Sequence, residues 1–286
     1  MNFNFIKNFF RKKRNIILHS HIFKNAGTTF DHSLENNFND KFIDHRDDEK
    51  IVKDKQDYLV DYLNQNKYIK AFSSHSIHFN AVNNDEFNFH QIYFLRHPIE
   101  RIKSVYTFEL KQPTEVSLGA KMAKELDLNE YIRWRMRDDV AATIRNCHTI
   151  FISGQGSSPN FLDEKFKIAL SNIKRMPLIG VVDRYDESMV MFEDYLQKFF
   201  PTIDLSYVKK NVTNKDTKIS TDEKSNIFLE TLDEDLQKLV LEKNAYDLEL
   251  YKIVNEMLNE KIFKIDNFDK KLENFKQRCL KLEDSE

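Results

Sequence analysis

Three short stretches of this chain carry residue types and spacings suited to handling a phosphate-like anion. In Ile16-Ile17-Leu18-His19-Ser20-His21-Ile22-Phe23-Lys24-Asn25-Ala26-Gly27-Thr28-Thr29-Phe30, an apolar strand enters a tight loop and then a helix from Thr28 to about Asn37. Such a turn leaves the first helical amides unpaired and aimed at one spot, where the positive helix end also attracts an anion. Lys24 adds a mobile positive charge, and Thr28 and Thr29 add hydroxyl donors. In the second stretch, the β-rich run Gln91-Ile92-Tyr93-Phe94-Leu95 ends in Arg96-His97-Pro98. A helical pattern follows, with Pro98 in its first turn and Ile102, Val105 and Tyr106 on its apolar face. Two turns on, Ser104 can offer its hydroxyl to the anion that the forked Arg96 guanidinium would grip. In the third, Lys67 to His75 reads as the second strand, ending in Ser74-His75. Imidazole titrates near ~6.5 and is a natural acceptor of a hydroxyl proton, which makes His75 a candidate base and His78 the reserve.

Each stretch also has a plain structural reading. The first could be a strand–turn–helix corner with an incidental lysine, the second a surface arginine, the third a histidine capping a strand. Arginine, proline and serine at this spacing, behind a separate phosphate loop, are harder to explain that way. His19 and His21 point the same way on the first strand, as a metal pair would, but no third ligand is evident in the sequence. His97, beside Pro98, reads as structural.

The loop is not the common nucleotide loop, in which lysine follows the second glycine and a hydroxyl holds magnesium. Here Lys24 precedes Gly27, and the G-x-G-x-x-G dinucleotide fingerprint is absent. The order K-x-A-G-T-T after H-I-x instead resembles the 5′-phosphosulfate loop of sulfotransferases that use 3′-phosphoadenosine 5′-phosphosulfate (PAPS). The likeness is to the carbohydrate branch, the heparan sulfate 2-O-sulfotransferase type. Phe23 stands where that pattern has proline, which softens the loop entry without removing a ligand. Arg96, Pro98 and Ser104 resemble the family's strand–R-D-P–helix–S site for the 3′-phosphate, with His97 in place of aspartate. Similar segments continue at Arg145–Gly154, where His148 replaces a glutamine and Ile150 an arginine, at Ile179–Ser188, and at Asn244–Tyr251. The last reads as a helix packing an apolar stripe. The resemblance covers residues 16 to about 255.

The resemblance implies a P-loop-like three-layer α/β fold, in keeping with strands that alternate with helices and so suggest a mainly parallel sheet. It implies PAPS as co-substrate and no metal. The amides of Asn25, Ala26 and Gly27, with Thr28 and Thr29, would hold the 5′-phosphate, and Arg96 and Ser104 the 3′-phosphate. Lys24 would neutralise the departing phosphate, and His75 would be the base. The acceptor would be a hydroxyl of a carbohydrate or glycolipid. Arg133 and Arg137, read as sharing a helical face, could meet an anionic glycan.

With 286 residues the chain suits one large domain, at 16–258, preceded by an extension (1–15) and followed by a charged helical tail (259–286). A net charge of −2 gives no global basic field for nucleic acid, so any anion site must be local. Cys147 and Cys279 make no disulfide framework, and no apolar run approaches the roughly 20 residues that cross a bilayer. The segment Phe3–Arg14 is a packed or disordered start, or an amphipathic turn giving weak contact with a membrane surface. Asn211-Val212-Thr213 fits a glycosylation acceptor, which carries little weight without a secretory signal. A cytoplasmic enzyme is expected. Two other readings stay open: a small-molecule kinase, against which the reversed lysine order and the absent magnesium-binding acid weigh, and a non-catalytic nucleotide-binding member of the same fold.

Overall fold

A computed structural model describes residues 12–176, 178–208 and 219–284; the segment 1–11 and Asn211 lie outside these. Five strands, β1 (Arg14–Ser20), β2 (Phe42–Asp44), β3 (Ala71–Ser74), β4 (Phe87–Leu95) and β5 (Leu178–Val181), form one sheet in the order β2-β3-β1-β4-β5. Every pairing is parallel. Helices α1 (Gly27–Phe38), α2 (Asp48–Gln65), α3 (Pro98–Lys111), α4 (Leu118–Glu125), α5 (Leu128–Met136) and α6 (Cys147–Ser153) follow the first four strands. Helices α7 (Leu162–Arg175), α8 (Tyr185–Leu196), α9 (Thr221–Glu230), α10 (Glu234–Lys243), α11 (Ala245–Phe263) and α12 (Phe268–Glu283) complete the described chain. The expected three-layer α/β fold is present.

The central strand explains the layering. From Ile16 to Ser20 every residue of β1 is buried, as expected for a parallel strand covered on both faces. Ile17 packs with Phe30, Phe94 and Phe192 on one face, while Ile16 and Leu18 pack with Leu59, Leu63 and Phe72 on the other. A third apolar cluster joins α3, α5, α9 and α10 through Ile102, Tyr131, Phe228 and Leu236. Because β3 and β4 flank β1, the loops leaving all three open side by side at the carboxyl edge of the sheet, where ligands of open α/β sheets bind.

Some elements differ from the sequence reading. The short strand β2 was not foreseen, so His75 follows the third strand in the chain, and the run read from Lys67 pairs only from Ala71. Three residues with one exposed neighbour carry too little periodicity to be read as a strand. Helix α11 runs through position 258, and α12 packs on α8 with Phe275 and Cys279 buried in the main core. Arg278 closes that contact with an ion pair to Glu193 at 2.7 Å. Among the described residues, no helix is long and apolar enough to cross a membrane.

Phe275 is fully buried, so Phe275→Ala is expected to lower the unfolding free energy by about 3–5 kcal/mol. A denaturant midpoint equal to that of the unaltered protein would show that α12 is not part of the cooperative core.

Candidate active site

After Ser20 the chain turns through His21–Ala26 and enters α1 at Gly27. Lys24 (φ 64°) and Ala26 (φ 59°) both adopt left-handed backbone, which costs residues with a side chain on the order of 1–3 kcal/mol each. Asn25, between them, resists relaxation: its side-chain Nδ2 donates to the Phe94 carbonyl at 2.6 Å, and its backbone N–H to Ile22. No side chain caps α1, and its first bonded amide is that of Thr29, on Ala26. The amides of Gly27 and Thr28 therefore lack an intrahelical partner. The Thr28 side chain is exposed and that of Thr29 half-buried. Lys24 Nζ lies 4.5 Å from the centre of the Phe108 ring. Burial, then the neighbouring Arg96 and Lys111, pushes the Lys24 ammonium down.

Behind this loop sits a group that the sequence reading missed. Asp31, one turn into α1, bridges two histidines of the β1 end: His19 Nδ1 donates to Oδ1 at 2.7 Å and His21 Nδ1 to Oδ2 at 2.9 Å. These donor and acceptor atoms all lie within 4.8 Å, close enough for a metal site. Each nitrogen nevertheless faces its own oxygen at hydrogen-bond length, and we read a proton-sharing His–Asp–His group. Asp31 is the third member that the sequence reading of a histidine pair lacked. Burial pushes its carboxyl up, but the charge and hydrogen bond of His19 and the bond from His21 leave it well below the carboxylate range.

His75 follows β3 and packs against His21, with ring centroids 3.9 Å apart and the rings tilted by 35°. Its Nδ1 donates to the His21 carbonyl at 2.8 Å, which leaves the lone pair on Nε2. Burial, then the neighbouring His21, pushes the imidazole below its usual 6.5. His78 donates from Nε2 to the His75 carbonyl at 3.0 Å and packs against the Phe151 ring. A cavity of about 410 Å³ opens here, lined by His21, Asp48, His75, His78, Arg101 and Phe151 among others.

Arg96 leaves β4 on the other side of β1. Its Nη1 donates to the Lys24 carbonyl at 3.4 Å, and its buried Nε has no partner among the described residues. Burial lowers its pKa, against the raising effect of Asp183 and Glu100. Ser104 is half-buried on α3. His97, as expected, is structural: its backbone N–H donates to Asp183, its Nδ1 lies 2.8 Å from Ser225 Oγ, and its ring meets Tyr251.

Two further segments also hold the loop. His148 Nε2 accepts from Asn25 Nδ2 at 2.9 Å. Its Nδ1 lies 3.2 Å from Asp247, a close polar contact rather than an aligned hydrogen bond. Asp247 in turn accepts from the amides of His148 and Thr149 and from the Thr149 hydroxyl, each at 2.8 Å, so it caps α6. The reading of Asn244–Tyr251 as only an apolar stripe is thus corrected: Asp247 supports the turn after β1 through His148. The shared face of Arg133 and Arg137 is also corrected. Arg137 lies just past the end of α5 and pairs with Asp139, while Arg133 is held by Asp233 and Asp235. Arg137 pairs with a carboxylate two positions on and Arg133 with two distant ones, contacts that helical spacing could not reveal.

Gly27 matters through space rather than backbone freedom. A Cβ there would stand 2.1 Å from His21 Cδ2 and 2.2 Å from Nε2, on a ring that Asp31 holds in place. Gly27→Ala is expected to cost about 1–3 kcal/mol, and nearly nothing in a His21→Ala background. Equal costs in both backgrounds, measured by denaturant unfolding, would contradict this contact.

Comparison with known proteins agrees with this geometry. The Sulfotransfer_2 profile, described as a sulfotransferase family, matches residues 7–156, just over half of the chain. A protein of Archaeoglobus fulgidus, described only as an uncharacterized protein, is 28% identical over 253 residues, covering 86% of this chain and 98% of the relative. The parallel sheet, the bare-amide loop after its central strand and the matching profile together establish that this chain belongs to the sulfotransferase family and is a sulfotransferase enzyme.

Proposed function

We propose that this sulfotransferase moves the sulfuryl group of PAPS to a hydroxyl of a carbohydrate or glycoconjugate. In this reading Lys24, Asn25, Ala26, Gly27, Thr28 and Thr29 hold the 5′-phosphosulfate end. Arg96 and Ser104 hold the 3′-phosphate, and His75 is the general base. One observation supports the reading: the turn after β1 is contacted by side chains from the loops on both sides of it. Arg96 Nη1 lies 3.4 Å from the Lys24 carbonyl, and His75 Nδ1 lies 2.8 Å from the His21 carbonyl. Among the described residues, Arg96 Nε and the amides of Gly27 and Thr28 are donors without acceptors, as a doubly anionic ligand requires.

The chemistry follows from these atoms. His75 takes the acceptor's hydroxyl proton at Nε2, the nitrogen left free by the bond from Nδ1 to His21. The oxygen so freed forms a bond to sulfur, and the bond from sulfur to the bridging oxygen breaks, its electron pair staying with the 5′-phosphate. Lys24 swings from Phe108 to meet that charge, and the helix amides share it. The product is adenosine 3′,5′-bisphosphate (PAP). For the acceptor, the cavity beside His75 offers the Asp48 carboxylate and the Phe151 ring, a polar acceptor and an apolar face suited to a sugar.

His75→Ala is expected to abolish sulfuryl transfer to a glycan or lipid panel from radiolabelled PAPS while leaving PAP affinity nearly intact; wild-type turnover in that variant would remove His75 from the role. Arg96→Ala is expected to weaken PAP binding by about 10- to 100-fold and AMP binding far less, since AMP lacks the 3′-phosphate. Equal losses for the two nucleotides would remove the 3′-site. Because burial holds the His75 pKa below 6.5, the transfer rate should stay level as pH falls toward that value and drop only below it. An acid limb centred well above 6.5 would argue for another base.

A further inference from the structure

The reaction as written gives His21 no task, although it stands between the phosphate loop and the base. Its Nδ1 bonds to Asp31 at 2.9 Å, its ring packs against that of His75, and it lines the cavity. The opposite ring edge abuts Gly27 so closely that a Cβ there would meet Nε2 at 2.2 Å. Gly27 is the first residue of α1, so Nε2 sits beside an unpaired helix amide. No group among the described residues bonds to that nitrogen. With Nδ1–H committed to the carboxylate, a neutral His21 presents a lone pair at Nε2, which an anion on the loop would repel. A proton at Nε2 would turn that repulsion into a charge-assisted donor.

We propose that His21 is a further donor-binding group: it takes a proton from solvent at Nε2 when the phosphosulfate end settles on the loop, and Asp31 carries the balancing charge at Nδ1. This rests on the reading of the loop as the donor site. The groups facing His21 are His19 of β1, Asp31 of α1, His75 after β3, and Arg46 after β2; Asp48, the first residue of α2, lines the same cavity. In the free protein burial keeps His21 below 6.5 despite the Asp31 bond, with His19 and Arg46 adding to the lowering. It is therefore neutral near pH 7, and a bound phosphate anion reverses that balance. Proton uptake is then coupled to binding, and PAP affinity falls as pH rises between the free and bound pKa values.

Calorimetric titration with PAP from roughly pH 6 to 8, in buffers of different ionisation enthalpy, tests this. About one proton should be taken up per PAP near neutral pH, and the Kd should rise by up to about tenfold per pH unit relative to His21→Asn. That variant keeps a donor toward Asp31 but lacks Nε2, so it should show no uptake; the titration of PAP itself is common to both proteins and cancels. Asp31→Asn keeps the imidazole but removes its counter-charge, and should likewise lose the uptake. Binding of PAP to the unaltered protein without proton uptake overturns the proposal, with no variant needed. Uptake that persists in His21→Asn overturns it as well. So does an equimolar bound metal that Asp31→Asn releases. Failure to bind PAP at any pH instead removes the donor site itself, and this proposal with it.

Discussion

A phosphate loop that leaves its helix amides bare cannot be held by a cap of its own, so it must be held from outside. Asn25 provides that hold. Its one amide nitrogen reaches the Phe94 carbonyl of β4 and His148 Nε2 of α6, tying the turn after the central strand to two other parts of the fold. Together with the Arg96 and Arg101 bonds to the Lys24 and Phe23 carbonyls, those bonds oppose relaxation of the left-handed Lys24 and Ala26 on either side. His148 in turn faces Asp247, the buried cap of α6, so a helix more than two hundred residues away in sequence helps set the loop's shape. The amides stay free for an anion because every structural bond in the turn is made by another group.

The face of α1 turned toward β1 follows from the helical period. Gly27 and Asp31 are four positions apart and lie on one side of the helix. Gly27 admits the His21 ring, and Asp31 binds it. The backbone carbonyl of the same histidine accepts from His75 Nδ1 and so decides which nitrogen of the proposed base is free. Loop packing and base chemistry therefore meet at one residue. A substitution at Gly27 would be felt at His75 without touching it.

Much of this was legible in the chain because the phosphate loop and the Arg96 turn are local: strand, punctuation and helix follow one another within about fifteen residues. The apolar run Ile16-Ile17-Leu18 marks a strand buried on both faces, and Pro98 marks a helix start. The supporting contacts were not legible, because they join distant positions. Asp247 lies about a hundred residues beyond the helix it caps, and its surroundings read equally well as plain helix. Asp31 was closer to detection. Its spacing from Gly27 turns it back toward β1, where two histidines already stood. The short edge strand β2 and the carboxylate partners of Arg133 depend on tertiary contacts that no local period encodes.

The account rests on one nucleotide spanning the turns after β1 and β4. A crystal structure with PAP bound tests this most directly. The account predicts the 5′-phosphate on the amides of Gly27 and Thr28, and the 3′-phosphate on Arg96, which will have left the Lys24 carbonyl. Density for PAP elsewhere on the molecule, or a bound nucleotide with Arg96 still on Lys24, would contradict it.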